Sequence, residues 1–163
     1  MINVTALTKR YGDRLAVDDL TFDLADGRVT GFVGPNGAGK STTMKLMVDL
    51  SRPDGGEVRY DGVAYRDLEH PARVVGSVLD ARCMHPGRSA RNHLRGFAEA
   101  GGTVFVSSHL IAELARFADD LVVVGAGRLI TSEPVESLTA RTGMSLEDSL
   151  LEMTTASAEF ASA

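Results

Sequence analysis

The chain opens with alternating apolar and polar positions. Residues Ile2 to Leu7 alternate as a short strand does, and Leu20 to Leu24 alternate again. Val29 to Val33 form an apolar run that ends abruptly at Gly34. From Thr42 the period becomes helical, with Met44 and Met47 three apart and Leu46 and Leu50 four apart. Ser51-Arg52-Pro53-Asp54-Gly55-Gly56 must end that helix in a turn. Glu57 to Tyr60 and Val63 to Tyr65 flank Asp61-Gly62, a pair suited to a type I′ hairpin. Val74 to Leu79 reads as a further strand, and Asp80 to Arg88 as an irregular segment. Ser89 to Ala100 is expected to be helical, ending at Gly101-Gly102. Thr103 to Val106 has the continuous apolar character of a strand buried on both faces. A helix over Leu110 to Ala118, a strand over Leu121 to Val124 and a return strand over Arg128 to Ile130 follow. Asp119-Asp120 reads as a solvated helix terminus, and two weaker helical patterns cover Val135 to Arg141 and Ser145 to Met153. Meandering strands followed by strand–helix alternation predict an α/β fold with an antiparallel β annex.

Length and composition narrow the function. The 163 residues suit one domain with a real core, and 44% hydrophobic with 24% charged residues is an ordinary globular mixture. A net charge of −5 argues against nucleic acid as a partner, which would require a concentrated basic face. Cys83 is the only cysteine, so neither an internal disulfide nor a cysteine-based zinc cluster is available. No stretch approaches the roughly 20 apolar residues that span a bilayer, and the start lacks the apolar core of a signal peptide. A soluble, cytoplasmic protein is expected.

One motif supplies the chemistry. Gly34-Pro35-Asn36-Gly37-Ala38-Gly39-Lys40-Ser41 satisfies G-x-x-x-x-G-K-[ST], after an apolar strand and before a helical pattern. The glycines let backbone N–H groups approach phosphate oxygens, and the helix N-terminus beyond them favours anions. Lys40 is expected to reach the β- and γ-phosphates, and the Ser41 hydroxyl to take a Mg²⁺ position. Gly34 through Thr42 is therefore the candidate site for ATP and Mg²⁺. A small P-loop kinase would need a lid and a substrate region, and a GTPase an Asn-Lys-x-Asp motif; neither is found in the sequence.

The wording GPNGAGKST resembles the ATP-binding subunits of ABC transporters, and other segments agree. Tyr11, 23 positions before Gly34 (34 − 11), lies where the family carries an aromatic that stacks on adenine. Pro53-Asp54-Gly55-Gly56-Glu57-Val58 resembles the hairpin after the P-loop helix. Thr103 to Leu110, TVFVSSHL, resembles the switch segment, which implies that His109 senses the γ-phosphate. The end of Val78-Leu79-Asp80 falls at the family's Q-loop, with Asp80 in place of glutamine. VVGSVLD superficially mimics a Walker B strand, but Ala81 stands where the catalytic glutamate belongs. VGSVLD with HPGRSARNHLR resembles subunits associated with bacterial exporters. The resemblance implies a transmembrane permease docked near Leu79 to Arg88, with the chain peripheral at the inner face of the cell membrane.

The spacing departs from the family. Lys40 and His109 are 69 positions apart (109 − 40), far fewer than in a complete subunit. Neither the Leu-Ser-Gly-Gly-Gln signature nor a strand ending in Asp-Glu is found between them. The simplest reading is a truncated ATP-binding domain over 1–140, with an internal deletion near 95–96 and a weakly helical tail over 141–163. A block on the order of 50–100 residues would be gone, and with it most of the helical subdomain. The Walker B strand is central in the family's parallel sheet. Its loss leaves ladder groups unpaired, at about 1–3 kcal/mol each, unless Thr103 to Val106 pairs with Val29 to Val33. The alternative is a marginally stable product. ATP binding is expected with hydrolysis impaired, and a dimer with a complete subunit is one way to fill the site. A non-catalytic regulatory module and an inactive gene remnant are the competing readings.

Overall fold

The computed structural model describes residues 1–76, 90–107, 114 and 116–160. Strands β1 (Ile2–Tyr11) and β2 (Arg14–Leu24) form a long antiparallel hairpin, closed where Tyr11 lies directly opposite Arg14. On the other side of β1 run β4 (Gly55–Tyr60) and β5 (Val63–Ala64), giving an antiparallel sheet in the order β2-β1-β4-β5. Asp61 and Gly62 both adopt positive φ, 49° and 84°, as the type I′ turn predicted from Asp-Gly requires.

The second sheet has the order β6-β3-β7-β8, built from β3 (Val29–Val33), β6 (Val104–Ser107), β7 (Asp120–Gly125) and β8 (Arg128–Pro134). β3 is parallel to both neighbours, and β8 returns antiparallel to β7. Every residue of β3 is buried, Thr30 included, which explains the largely apolar run VTGFV: a central parallel strand has no solvent face. β6 aligns Val29 with Val104 and Gly31 with Val106. Of the two outcomes expected for this strand, direct pairing with β3 is the one observed.

Helix α1 (Lys40–Met47) follows the loop after β3 and packs between the sheets. Leu46 and Met47 share one core with Val4, Leu7 and Val17 of the antiparallel sheet and Phe32 and Val122 of the parallel one. Three rings tie the layers together: Phe32 stacks on Phe105 at 4.8 Å between centroids, and Phe22 lies 5.6 Å from Phe105. The helix ends earlier than its apolar spacing suggests. Asp49 turns left-handed, with φ 55°, Leu50 N–H donates to the Lys45 carbonyl, and Leu50 is left 64% exposed. The buried Tyr60 hydroxyl donates to the Met47 carbonyl at 2.8 Å, satisfying one of the helix's terminal acceptors.

Other departures from the sequence pattern have local causes. Val74 closes a short helix, α2 (Pro71–Val74), instead of opening a strand, because Pro71 at its first turn supplies a φ already suited to a helix. The rest of that expected strand, from Ser77, lies outside the described residues, as do most of Leu110 to Ala118. Leu114 is described, helical and fully buried. Asp119 and Asp120 are not a solvated terminus. Asp119 accepts the Val29 N–H at 2.9 Å and Asp120 forms a two-pronged ion pair with Arg28, so both pin β7 to the start of β3.

Helix α3 (Ala90–Glu99) packs Ala98 against Val29 and Val104. Beyond residue 134, α4 (Val135–Thr142) and α5 (Leu146–Phe160) cover the outer face of the parallel sheet. Leu138, Leu146 and Leu150 form a second core with Val33, Leu121 and Val123. The segment expected as a weakly helical tail thus seals one face of the sheet that carries the loop. Leu150 is 2% exposed, so Leu150→Ala should lower unfolding free energy by about 2–5 kcal/mol. Chemical denaturation of the full chain measures this, and a change below about 0.5 kcal/mol would refute a sealing role.

Candidate functional site

The end of β3 delivers the chain into the loop Gly34 to Gly39, and α1 starts directly after it. Two glycines show why this path needs them. At Gly34 (φ 156°) a Cβ would lie 2.2 Å from the Val124 carbonyl oxygen, so the loop's first residue rests on the end of β7. At Gly39 (φ 95°) it would lie 2.4 Å from the Ala16 carbonyl oxygen of β2. Neither approach nor φ tolerates a side chain. The loop is clamped between the two sheets.

Lys40 closes the loop from within. Its ammonium donates to the Gly34 carbonyl at 2.6 Å and the Pro35 carbonyl at 2.9 Å. Partial burial holds it below the usual lysine pKa. An ammonium has one N–H more than these two acceptors use. Gly39 caps α1 without a side-chain hydrogen bond, and the first turn carries no acidic residue. The positive end of the helix is therefore not neutralised by its own carboxylates. Thr43, 1% exposed, anchors the turn by donating its N–H and hydroxyl to the Gly39 carbonyl at 2.8 and 3.1 Å.

The loop floors a cleft of about 350 Å³, lined among others by Tyr11, Arg14, Asn36, Lys40, Ser41 and Thr42. Tyr11 is half exposed, and its ring is held from two directions. Its hydroxyl lies 3.3 Å from Ser51 Oγ, and the Lys9 ammonium sits 5.5 Å from the ring centroid. Lys9 is itself fixed by Asp54 at 3.0 Å, and Asp54 also accepts the Arg10 N–H at 2.7 Å.

The structure thus gathers Tyr11, Asn36, Gly37, Gly39, Lys40, Ser41 and Thr42 around one cleft, with Gly34, Pro35 and the buried Ala38 completing the loop. His109 and Asp80 lie outside the described residues. Among the described residues, no three His, Cys, Asp or Glu side chains gather as a protein-only metal site requires. Sequence reasoning missed Arg14, which lines the cleft and donates to the Gly37 carbonyl at 3.3 Å. A signal was present: Gly12-Asp13 between two strands is a two-residue turn, and such a turn sets residue 14 opposite residue 11.

A buried parallel strand, a glycine loop clasped by its own lysine and a helix opening at the loop's end define a P-loop NTPase fold. Solved structures agree. An ATP-binding subunit of an ABC transporter aligns with a TM-score of 0.72 over 94% of this chain and 99% of its own, at 17% identity. A nucleotide-free ATP-binding cassette from an ABC transporter aligns with a TM-score of 0.72 over 94% and 98%, at 15% identity. The ABC transporter family model matches residues 17–157, and the chain belongs to that family as a nucleotide-binding domain. Curated relatives include the Nod factor export ATP-binding protein I of Burkholderia pseudomallei, 34% identical over 72% of this chain and 39% of that protein. Another is the xylose/arabinose import ATP-binding protein XacJ of Haloferax volcanii, 33% identical over 83% of this chain and 34% of that protein. The chain spans less than two fifths of the length of either relative. Among the described residues no helix is long and apolar enough to cross a membrane.

The clamp on the loop can be tested directly. Gly39→Ala should push the loop off β2, lowering the melting temperature and weakening MgATP binding at least ~10-fold. Calorimetric titration with thermal melts checks both, and wild-type values for the variant would show that the approach to Ala16 does not shape the loop.

Proposed function

We propose that the chain binds MgATP through its P-loop as the ATP-binding subunit of an ABC transporter, acting with a transmembrane permease at the cytoplasmic face of the membrane. The observation that carries this reading is the convergence of Lys40, the α1 N-terminus and Tyr11 on one cleft. Loop N–H groups and the helix terminus bind phosphate oxygens, and Lys40 adds the N–H and charge that its loop carbonyls leave over. Tyr11, steadied by Lys9 and Ser51, offers a ring for the adenine to stack on. The donor set fits a hard cation only in part. Ser41 supplies one oxygen, so phosphate oxygens and water would complete the Mg²⁺ shell. Bound MgATP supplies the phosphoanhydride whose cleavage drives transport in this class.

Turnover is impaired in our reading. Lys40 and His109 are only 69 positions apart (109 − 40), and the sequence between them holds neither the signature nor a strand ending in Asp-Glu. Residues that would orient water and hold the metal through water are thereby lost. A deletion near 95–96 within the 1–140 unit accounts for the spacing, and the direct pairing of β6 with β3 is compatible with it. His109 and Asp80 retain the roles of γ-phosphate sensor and Q-loop residue. A dimer with a complete subunit would return a signature motif to the cleft, making this chain a non-catalytic partner. The relatives include both an export and an import protein.

Titration of the purified chain should detect MgATP binding that Lys40→Ala weakens ~10-fold or more. Phosphate release should not exceed that of Lys40→Ala. Turnover that Lys40→Ala abolishes would overturn the impaired-hydrolysis reading, and wild-type protein that binds no nucleotide would overturn the whole.

A further inference from the structure

We infer that Arg14 is a nucleotide-binding residue of the P-loop cleft, reaching the phosphate chain from the end of the β1–β2 hairpin; the inference rests on the ATP-binding reading above. Arg14 and Tyr11 are directly paired across the β1–β2 hairpin, so their side chains share one face at its end. That face borders the cleft, and both residues line it. The guanidinium leans over the loop's crown, where Nη2 donates to the Gly37 carbonyl at 3.3 Å. This single long bond engages one of several N–H donors on an exposed side chain, and the others are available to an anion. Charge points the same way. Among the described residues, the lining holds two cations, Arg14 and Lys40, and no carboxylate, in a chain whose net charge is −5.

The two cations are placed to divide the work. Lys40 sits inside the loop at the start of α1, and Arg14 stands outside it beside Tyr11. A nucleotide with its base on Tyr11 and its terminal phosphates at Lys40 must run its phosphate chain past Arg14. Its positive charge and remaining N–H donors suit it to hold phosphate oxygens there. The Gly37 bond holds the side chain in position before the ligand arrives, which lowers the ordering cost of binding.

A purely structural role, steadying Gly37, predicts different behaviour from charge-bearing contact, and two variants separate them. Arg14→Gln keeps a donor for the Gly37 carbonyl and removes the charge. Arg14→Lys keeps the charge and gives up the planar fork. Titration of the full chain with MgATP should show Arg14→Gln weakened ~10-fold and Arg14→Lys within ~3-fold of wild type, with thermal melts of the free proteins unchanged. Arg14→Gln binding as wild type does, or Arg14→Lys falling as far as Arg14→Gln, would overturn the inference while leaving the P-loop reading intact. Wild-type protein that fails to bind MgATP would instead remove that reading, and this inference with it.

Discussion

The carbonyl of Ala16, near the start of β2, is the point on which the two sheets and the loop meet. Gly39 approaches it from the loop and Gly127 from the β7–β8 turn, where an added Cβ would sit 2.4 and 3.0 Å away. Two residues along, the Asp18 N–H donates to the Gly127 carbonyl at 2.9 Å and the Asp18 carboxylate pairs with Arg128 at 2.6 Å. The antiparallel sheet is therefore more than an annex laid beside the nucleotide-binding core. It forms one side of the clamp that gives the loop its path, and its first hairpin carries Tyr11 and Arg14 to the cleft.

The hydrophobic core follows from this arrangement. With β2 held against the loop, Phe22 reaches Phe32 and Phe105, and α1 fills the space between the layers with Leu46 and Met47. The opposite face of the parallel sheet then needs its own cover, which Leu114, Leu138, Leu146 and Leu150 supply. A strand as apolar as β3 is stable only with both faces closed. The C-terminal helices thus belong to the same structural requirement as the P-loop.

Much of this was legible in the sequence. The P-loop, its flanking strand and helix, the Asp-Gly hairpin and a strand over Thr103 to Val106 all carry strong local signals, because glycine geometry and apolar runs act over a few residues. Burial of that strand on both faces was not borne out, since it ends the sheet among the described residues and only Val104 is buried. What escaped depends on tertiary neighbours. Leu50 keeps helical spacing yet projects beyond a helix that Asp49 has already ended. Asp119 and Asp120 look like solvated charges until Val29 and Arg28 are brought beside them from some ninety positions away. Leu146 and Leu150 sit in a polar-looking segment, and only the bare face of the sheet explains their burial. Arg14 carried no motif, and its place was set by strand register.

The position of β3 also governs when the loop can take shape. Its hydrogen-bonded neighbours come from residues 104–107 and 120–123, while β1, β2, β4 and β5 find one another within the first 64 residues. A chain emerging from the ribosome can therefore assemble the antiparallel layer early, with the glycine loop already synthesised but its parent strand still lacking both ladders. The glycine loop waits for strands synthesised well after it, and the nucleotide cleft becomes rigid only once they have arrived.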